Sequence, residues 1–168
     1  MYKVYQKIIL ACLLLVMTGT VYSQRVTQTI NDGWKFSLFE GDASTADFDI
    51  SGWTDVSIPH TWNAKDADDE IPGYFRGKGW YRKVVTVEEL IPEQRVYLSF
   101  EGANQETNVF VNGTFVGNHK GGYSAFTFDV TDYVHAGRNL IAVSVDNSHH
   151  PDIAPLSADF TFFGGIYR

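Results

Sequence analysis

Cysteine is almost missing from this sequence: Cys12 is the single one in 168 residues. Disulfide bonds within the chain are thereby excluded, and stability has to come from a packed apolar core. Long hydrophobic runs are scarce as well. The one unbroken run, Ile8 to Met17, has ten residues, about half of the roughly 20 that a helix needs to cross a bilayer. It follows Lys3 and Lys7 and leads through small residues to Ser23, which is the layout of a secretory signal peptide. Val21-Tyr22-Ser23 places a small residue at the cleavage position, so residues 1–23 are expected to be removed, leaving Gln24 as the new N-terminus. Because the apolar segment continues past Cys12 through Leu13-Leu14-Leu15-Val16, cleavage before Cys12 and lipid attachment there are not expected. The expectation is an exported protein, periplasmic or secreted, with no membrane span.

Basic residues are also in deficit. Thirteen Lys and Arg stand against twenty Asp and Glu, a formal charge of −7. Loss of Lys3 and Lys7 would make it more negative still, which disfavours polyanionic partners such as nucleic acid. Length sets a further limit. Residues 24–168 suit one domain, and they are too few for a barrel enzyme of about 250 residues.

What the chain has in quantity is aromatic and β-branched side chains, with glycine outnumbering proline 15 to 5. That composition favours sheet. No sustained 3.6-residue periodicity is present. Short alternating runs occur instead over 34–39, 80–87, 95–100, 108–111, 114–117, 126–130 and 140–145, so an antiparallel all-β domain is expected. In the run ending at Phe100, Val96, Leu98 and Phe100 share one face and Ser99 takes the other, which makes one face core and the other wet. Asn112-Gly113 is a two-residue hairpin signal, since both positions tolerate positive φ. Asn112-Gly113-Thr114 also matches a glycosylation sequon, but the turn accounts for these residues and a tight hairpin is a poor acceptor. A short helical connector is expected over Thr131–His135, and 42–51 and 63–79 read as loops.

Catalytic and metal-binding patterns are thin. Asp66, Asp68, Asp69 and Glu70 lack the glycine and distal glutamate of a calcium loop and read as a solvated acidic stretch. His149-His150-Pro151-Asp152 has no second cluster at ligand spacing, so it reads as a loop at a strand end. No metal site and no cofactor are expected in this chain. Neither a Gly-x-Ser-x-Gly elbow nor a phosphate-cradling glycine loop occurs. Trp34, Trp53, Trp62 and Trp80 can either fill a small core or stack on sugar rings, with the core the better reading for each. Gly121-Gly122-Tyr123 invites a binding role, yet two glycines equally permit a tight chain crossing, and that reading is preferred for it and for Glu101 and Asn104.

The ordered series Asp32-Gly33-Trp34-Lys35-Phe36, Pro59-His60-Thr61-Trp62, Gly79-Trp80-Tyr81-Arg82-Lys83, Phe100-Glu101-Gly102-Ala103, Val109-Phe110-Val111-Asn112-Gly113, Gly117–Ser124, Phe128-Asp129-Val130-Thr131 and Gly164-Gly165-Ile166-Tyr167-Arg168 resembles the N-terminal sugar-binding domain of family 2 glycoside hydrolases, the β-galactosidase and β-glucuronidase group. The resemblance covers the chain from about residue 30. It implies a jelly-roll β-sandwich of the galactose-binding-domain type, and for the whole protein a retaining exo-β-glycosidase acting on a β-galactoside or β-glucuronide. The two glutamates that work in such enzymes, roughly 5 Å apart in the retaining scheme, belong to a barrel that follows this domain and an immunoglobulin-like one. The family's metal ligands lie on that barrel too. The chain alone is therefore expected to be inactive, a piece that stops before those domains or the product of a truncated gene.

The same resemblance assigns substrate contacts. An aspartate nine positions before the arginine of Gly-Ile-x-Arg reaches the barrel pocket and hydrogen-bonds a sugar hydroxyl, and Asp159 holds that position here. An asparagine two residues before the Trp-Tyr pair also approaches substrate in these relatives. Lys78 stands in its place, a departure that leaves the preferred sugar open: the lysine either favours an acidic sugar or is simply solvated. A second functional class stays open, a free-standing carbohydrate-binding module with no chemistry of its own.

Overall fold

Alternation with period two places every second side chain on one face of a strand, and the strands of this chain use it to bury their apolar halves in two layers. The computed structural model describes residues 25–66, 73–154, 156–157 and 159–167, together with Tyr2 and Tyr5. The segment expected to be removed lies, those two tyrosines apart, outside the described residues, as do Asp68, Asp69, Glu70 and Arg168.

Among the described residues eleven strands follow in order: β1 Trp34–Leu38, β2 Thr54–Val56, β3 His60–Thr61, β4 Lys78–Val87, β5 Tyr97–Phe100, β6 Ala103–Asn104, β7 Glu106–Val111, β8 Thr114–Lys120, β9 Phe126–Asp129, β10 Gly137–Asp146 and β11 Gly165–Ile166. One layer is a six-stranded sheet in the order β2-β1-β4-β10-β7-β8. Opposite it stand the triplet β3-β11-β6 and the pair β5-β9. The paired strands run antiparallel. The long partners β4 and β10 stay in register from Gly137 opposite Val87 to Asp146 opposite Lys78. This is the antiparallel all-β sandwich expected from the sequence.

Side chains of both layers meet in one core. Trp34, Tyr81, Val109, Ile141, Val143 and Val145 come from the large sheet, and Leu98, Phe100, Ala103 and Ile166 face them. In β5 the alternation holds as read, with Leu98 and Phe100 buried and Tyr97 and Ser99 exposed. The outer face of the large sheet is only partly wet, because the loop after β1 folds over it. There Ala43, Trp80 and Ala142 form a second cluster with Phe48, Trp53 and Phe110. Arg82, in the same area, donates from Nη1 to the Ala43 carbonyl at 3.0 Å and fixes that loop. Trp34 and Trp80 are buried, and Trp53 and Trp62 pack on the outer and inner clusters, so all four tryptophans serve as packing groups.

The Asn112-Gly113 turn forms as expected, with φ of 52° and 81° between Val111 and Thr114. Two expectations need correction. Residues 131–135 make a turn rather than a helix: the Tyr133 and Val134 amides both donate to the Val130 carbonyl, at 3.0 and 3.2 Å. Asp129 provides the cap, its Oδ1 accepting from the Thr131 amide at 3.0 Å. With β10 starting at Gly137, too few residues remain to extend a helix beyond its nucleus. The supposed loop 63–79 also contains structure at both ends. Trp62–Lys65 is a 3₁₀ helix in which Thr61 accepts from the Asn63 amide, and Lys78 already belongs to β4.

Candidate functional site

Lys78 and Asp159, the two candidate substrate contacts, lie on segments that meet at one end of the sandwich. Lys78 opens β4. Its carbonyl accepts from the Phe39 amide at 3.1 Å, its own amide donates to Glu40 Oε1 at 3.2 Å, and its side chain is half-buried. Asp159 is exposed in the long connection between β10 and β11, beside the exposed Phe160.

The base of that connection is held by three buried asparagines from different elements. Asn104, in β6, donates to the Phe163 carbonyl at 2.7 Å. Asn147, just past β10, donates to the Phe162 carbonyl at 2.9 Å and accepts from the Gly77 amide at 2.9 Å. Asn63, in the 3₁₀ helix, accepts from the Gly164 amide at 2.6 Å and from Asn147 Nδ2 at 3.2 Å. Its own Nδ2 donates to Asp66 Oδ2 at 2.6 Å and to the Phe75 carbonyl at 2.8 Å. Asp66 also accepts from the Phe75 amide at 2.9 Å. Asp66 is thus a partner that closes the 66–75 loop, not a solvated charge of an acidic stretch as expected. Buried amide groups are stable only when their hydrogen bonds are met, and here that condition fixes where the chain must run.

Glycines admit this geometry. A Cβ on Gly164 would stand 1.9 Å from Trp62 Cζ2, and Gly165, at φ +147°, passes so close that a Cβ would lie 2.1 Å from the His60 carbonyl oxygen. β11 therefore slips between β3 and β6 only with glycine at these positions. Gly122 is similar, since a Cβ there would lie 2.3 Å from Asn104 Oδ1. That supports the chain-crossing reading for Gly122, whereas a Cβ on Gly121 would meet nothing closer than 3.9 Å and glycine there answers to its φ of +121°. Tyr123 is exposed and its ring stacks on Tyr167 at 5.8 Å and 4°. Tyr167 in turn donates its hydroxyl to the Phe163 carbonyl, and burial pushes its pKa up.

Beneath β11, His60 Nδ1 lies 2.8 Å from the Tyr81 hydroxyl. Burial lowers the His60 pKa, and burial raises that of Tyr81 far above its ordinary value. The neutral imidazole accepts from the neutral phenol, a pairing that needs no charge inside the core.

Sequence reasoning missed Asn63, Asn147 and Arg76. The Arg76 guanidinium carbon lies 4.8 Å from the Phe162 ring centre and 5.0 Å from that of Tyr74, within cation–π range of both. Nothing in local sequence marks an asparagine as buried. The nearest signal is the position of Asn63 directly after the Pro59–Trp62 series. His150 occupies a loop at a strand end as read, with Nε2 3.4 Å from Glu106 Oε2, while Asp152 pairs with Lys120 at 3.7 Å. Among the described residues no group of three His, Cys, Asp or Glu side chains is gathered closely enough to hold a metal ion, and no helix is long and apolar enough to cross a membrane. Chemically the end of the sandwich offers an exposed carboxylate on a loop with a fixed base and an aromatic rim. A carboxylate so placed accepts hydrogen bonds from hydroxyl groups.

Comparison with known proteins extends this picture. The model of the glycosyl hydrolases family 2 sugar binding domain matches residues 27–168. A putative beta-glucuronidase of Formosa agariphila is 36% identical over 170 residues, covering 98% of this chain and 21% of that protein. A beta-galactosidase of Thermoanaerobacter pseudethanolicus is 40% identical over 153 residues, covering 85% of this chain and 18% of that protein. Among solved structures, Bacteroides uniformis beta-glucuronidase 2 covalently bound to cyclophellitol-6-carboxylate aziridine superposes with a TM-score of 0.79 at 47% identity, covering 86% of this chain and 17% of that one. The chain thus spans about a fifth of the length of the relatives it matches. It belongs to the family 2 glycoside hydrolases and carries their N-terminal sugar-binding domain.

Proposed function

We propose that this domain selects the sugar for a larger retaining exo-β-glycosidase that cleaves β-glucuronides or β-galactosides and is exported by the segment 1–23. Asp159 accepts a hydrogen bond from a hydroxyl of the terminal sugar, and Lys78 lies on the neighbouring segment, where its ammonium favours an acidic ring. Residues 24–168 alone do not hydrolyse the sugar. The bond-breaking carboxylates and any assisting metal ion belong to other domains of the protein.

The observation that supports this reading is the match of residues 27–168 to the family 2 sugar binding domain, together with an exposed Asp159 in a connection anchored at its base by Asn63, Asn104 and Asn147. A fixed carboxylate discriminates between ring stereoisomers, because the epimer that cannot present its hydroxyl leaves the acceptor unpaired. The test is an assay of the complete gene product on 4-nitrophenyl β-D-glucuronide and 4-nitrophenyl β-D-galactoside, with the anomer released first identified by NMR. Release of the β-anomer is expected. A gene product that hydrolyses neither glycoside, yet binds sugar with a saturable change in tryptophan fluorescence, would replace this reading with that of a binding module.

A further inference from the structure

We infer that Asn63 and Asn147 form a latch that positions Asp159 for substrate. The inference rests on the proposed contact between Asp159 and the sugar. Both asparagines are almost wholly buried, at 2% and 1% exposure. Together they tie two connections that are far apart in sequence. On the 66–77 side they hold the Phe75 carbonyl, reached by both amides at 2.8 and 3.2 Å, and the Gly77 amide at 2.9 Å. On the 148–164 side they hold the Phe162 carbonyl at 2.9 Å and the Gly164 amide at 2.6 Å. The two side chains bond each other at 3.2 Å, through an Asn147 N–H shared with the Phe75 carbonyl at the same distance, so neither connection can shift without disturbing a bond to the other.

Hydrogen-bond capacity supports this assignment. A primary amide has two N–H donors and two carbonyl lone pairs. Asn63 uses all four, with Asp66, Phe75, Gly164 and Asn147 as partners. Aspartate would bring a second carboxylate against Asp66, and leucine would leave the Gly164 amide unmet. Only an amide satisfies both sides. Lys78 follows Gly77 directly and Asp159 stands three residues before Phe162, so the latch sets the position of one candidate contact relative to the other. Asn63 and Asn147 are positioning residues, acting on the sugar through Asp159.

The test is a double-mutant cycle in the complete enzyme, read as kcat and KM on 4-nitrophenyl β-D-glucuronide and 4-nitrophenyl β-D-galactoside. Asn147→Ser and Asp159→Ala are compared singly and together, with thermal midpoints recorded for each. Asn147→Ser is expected to lower kcat/KM roughly tenfold in the parent enzyme, and to have little further effect once Asp159 is alanine, because coupled residues are not additive. An equal loss in both backgrounds would overturn the latch while leaving the Asp159 contact intact. No loss from Asp159→Ala would overturn that contact and the latch with it. Should Asn147→Ser not fold, hydrogen exchange on the unaltered enzyme decides. The Gly77 and Gly164 amides are expected to exchange as slowly as those of Val143 and Val145, and exchange as fast as that of exposed Ser157 would overturn the inference.

Discussion

His60 and Tyr81 share one hydrogen bond inside the sandwich, and its chemistry makes stability depend on pH. Burial holds the His60 pKa below its ordinary value, so the unfolded chain takes up this proton at a higher pH than the folded one. The histidine therefore contributes its full stability above about pH 6.5, and that contribution is lost as pH falls from there through the folded pKa. Asp42, Asp49 and Asp129 are held below the usual carboxylate range by hydrogen bonds from Ser44, Ser51 and Thr131. They lose stability only at more acid pH, and the two effects separate. Urea midpoints measured between pH 7.5 and 5 are expected to fall for the parent domain. They should fall less for His60→Gln, whose amide oxygen still accepts from Tyr81. Equal slopes for the two proteins would remove His60 from the account. Residues of this kind were legible only in part. His60 and Tyr81 stood out within ordered series, but the bond between them joins positions 21 residues apart.

β11 shows what the sequence could reveal and what it hid. The long strands alternate over enough residues to be read directly, and β1, β4, β7 and β10 were found within a few residues of their ends. Strands β2, β3, β6 and β11 have two or three residues each, too few for a period to appear. β2 exists only as the edge partner of β1, and β3, β6 and β11 exist because β11 threads between the other two, pairing Gly165 with Thr61 and Asn104. The same limit turned an expected helix at 131–135 into a turn and hid Asn63 and Asn147, since asparagine belongs to loops by propensity and is buried only through tertiary bonds. Asp159 and Lys78 came from family spacing rather than any local chemical pattern. Gly164→Ala tests the threading. The added methyl meets the rigid ring of Trp62, and overpacking of this kind costs on the order of 1–3 kcal/mol. A urea midpoint lowered by an equivalent amount, with the m-value unchanged, is the expected outcome. Full stability would mean that Trp62 does not close over Gly164.

The whole domain buries apolar side chains in two places, an inner core around Trp34 and an outer cluster around Trp80. The strands β4 and β10 contribute to both, because alternate residues of one strand feed opposite faces. Tyr81 points inward and Trp80 outward, and Val143 and Ala142 divide in the same way. The two clusters should therefore unfold together. A variant that keeps only Trp34 and one that keeps only Trp80, the other three tryptophans being phenylalanine in each, are expected to give coincident denaturation curves. Separate transitions would show that the loop over the outer face melts alone. The architecture also suits the proposed sugar contact. The sheets supply the rigid frame, the asparagine amides fix the connections at one end, and Asp159 stands exposed in the longest of them. The most direct test of that account is kcat/KM for Asp159→Asn in the complete enzyme, compared with the parent on the preferred 4-nitrophenyl glycoside. A hydrogen bond to a charged acceptor contributes about 1.5–3 kcal/mol, so a loss of roughly ten- to hundredfold is predicted, with the thermal midpoint unchanged because the residue is exposed. An unaltered kcat/KM would contradict it.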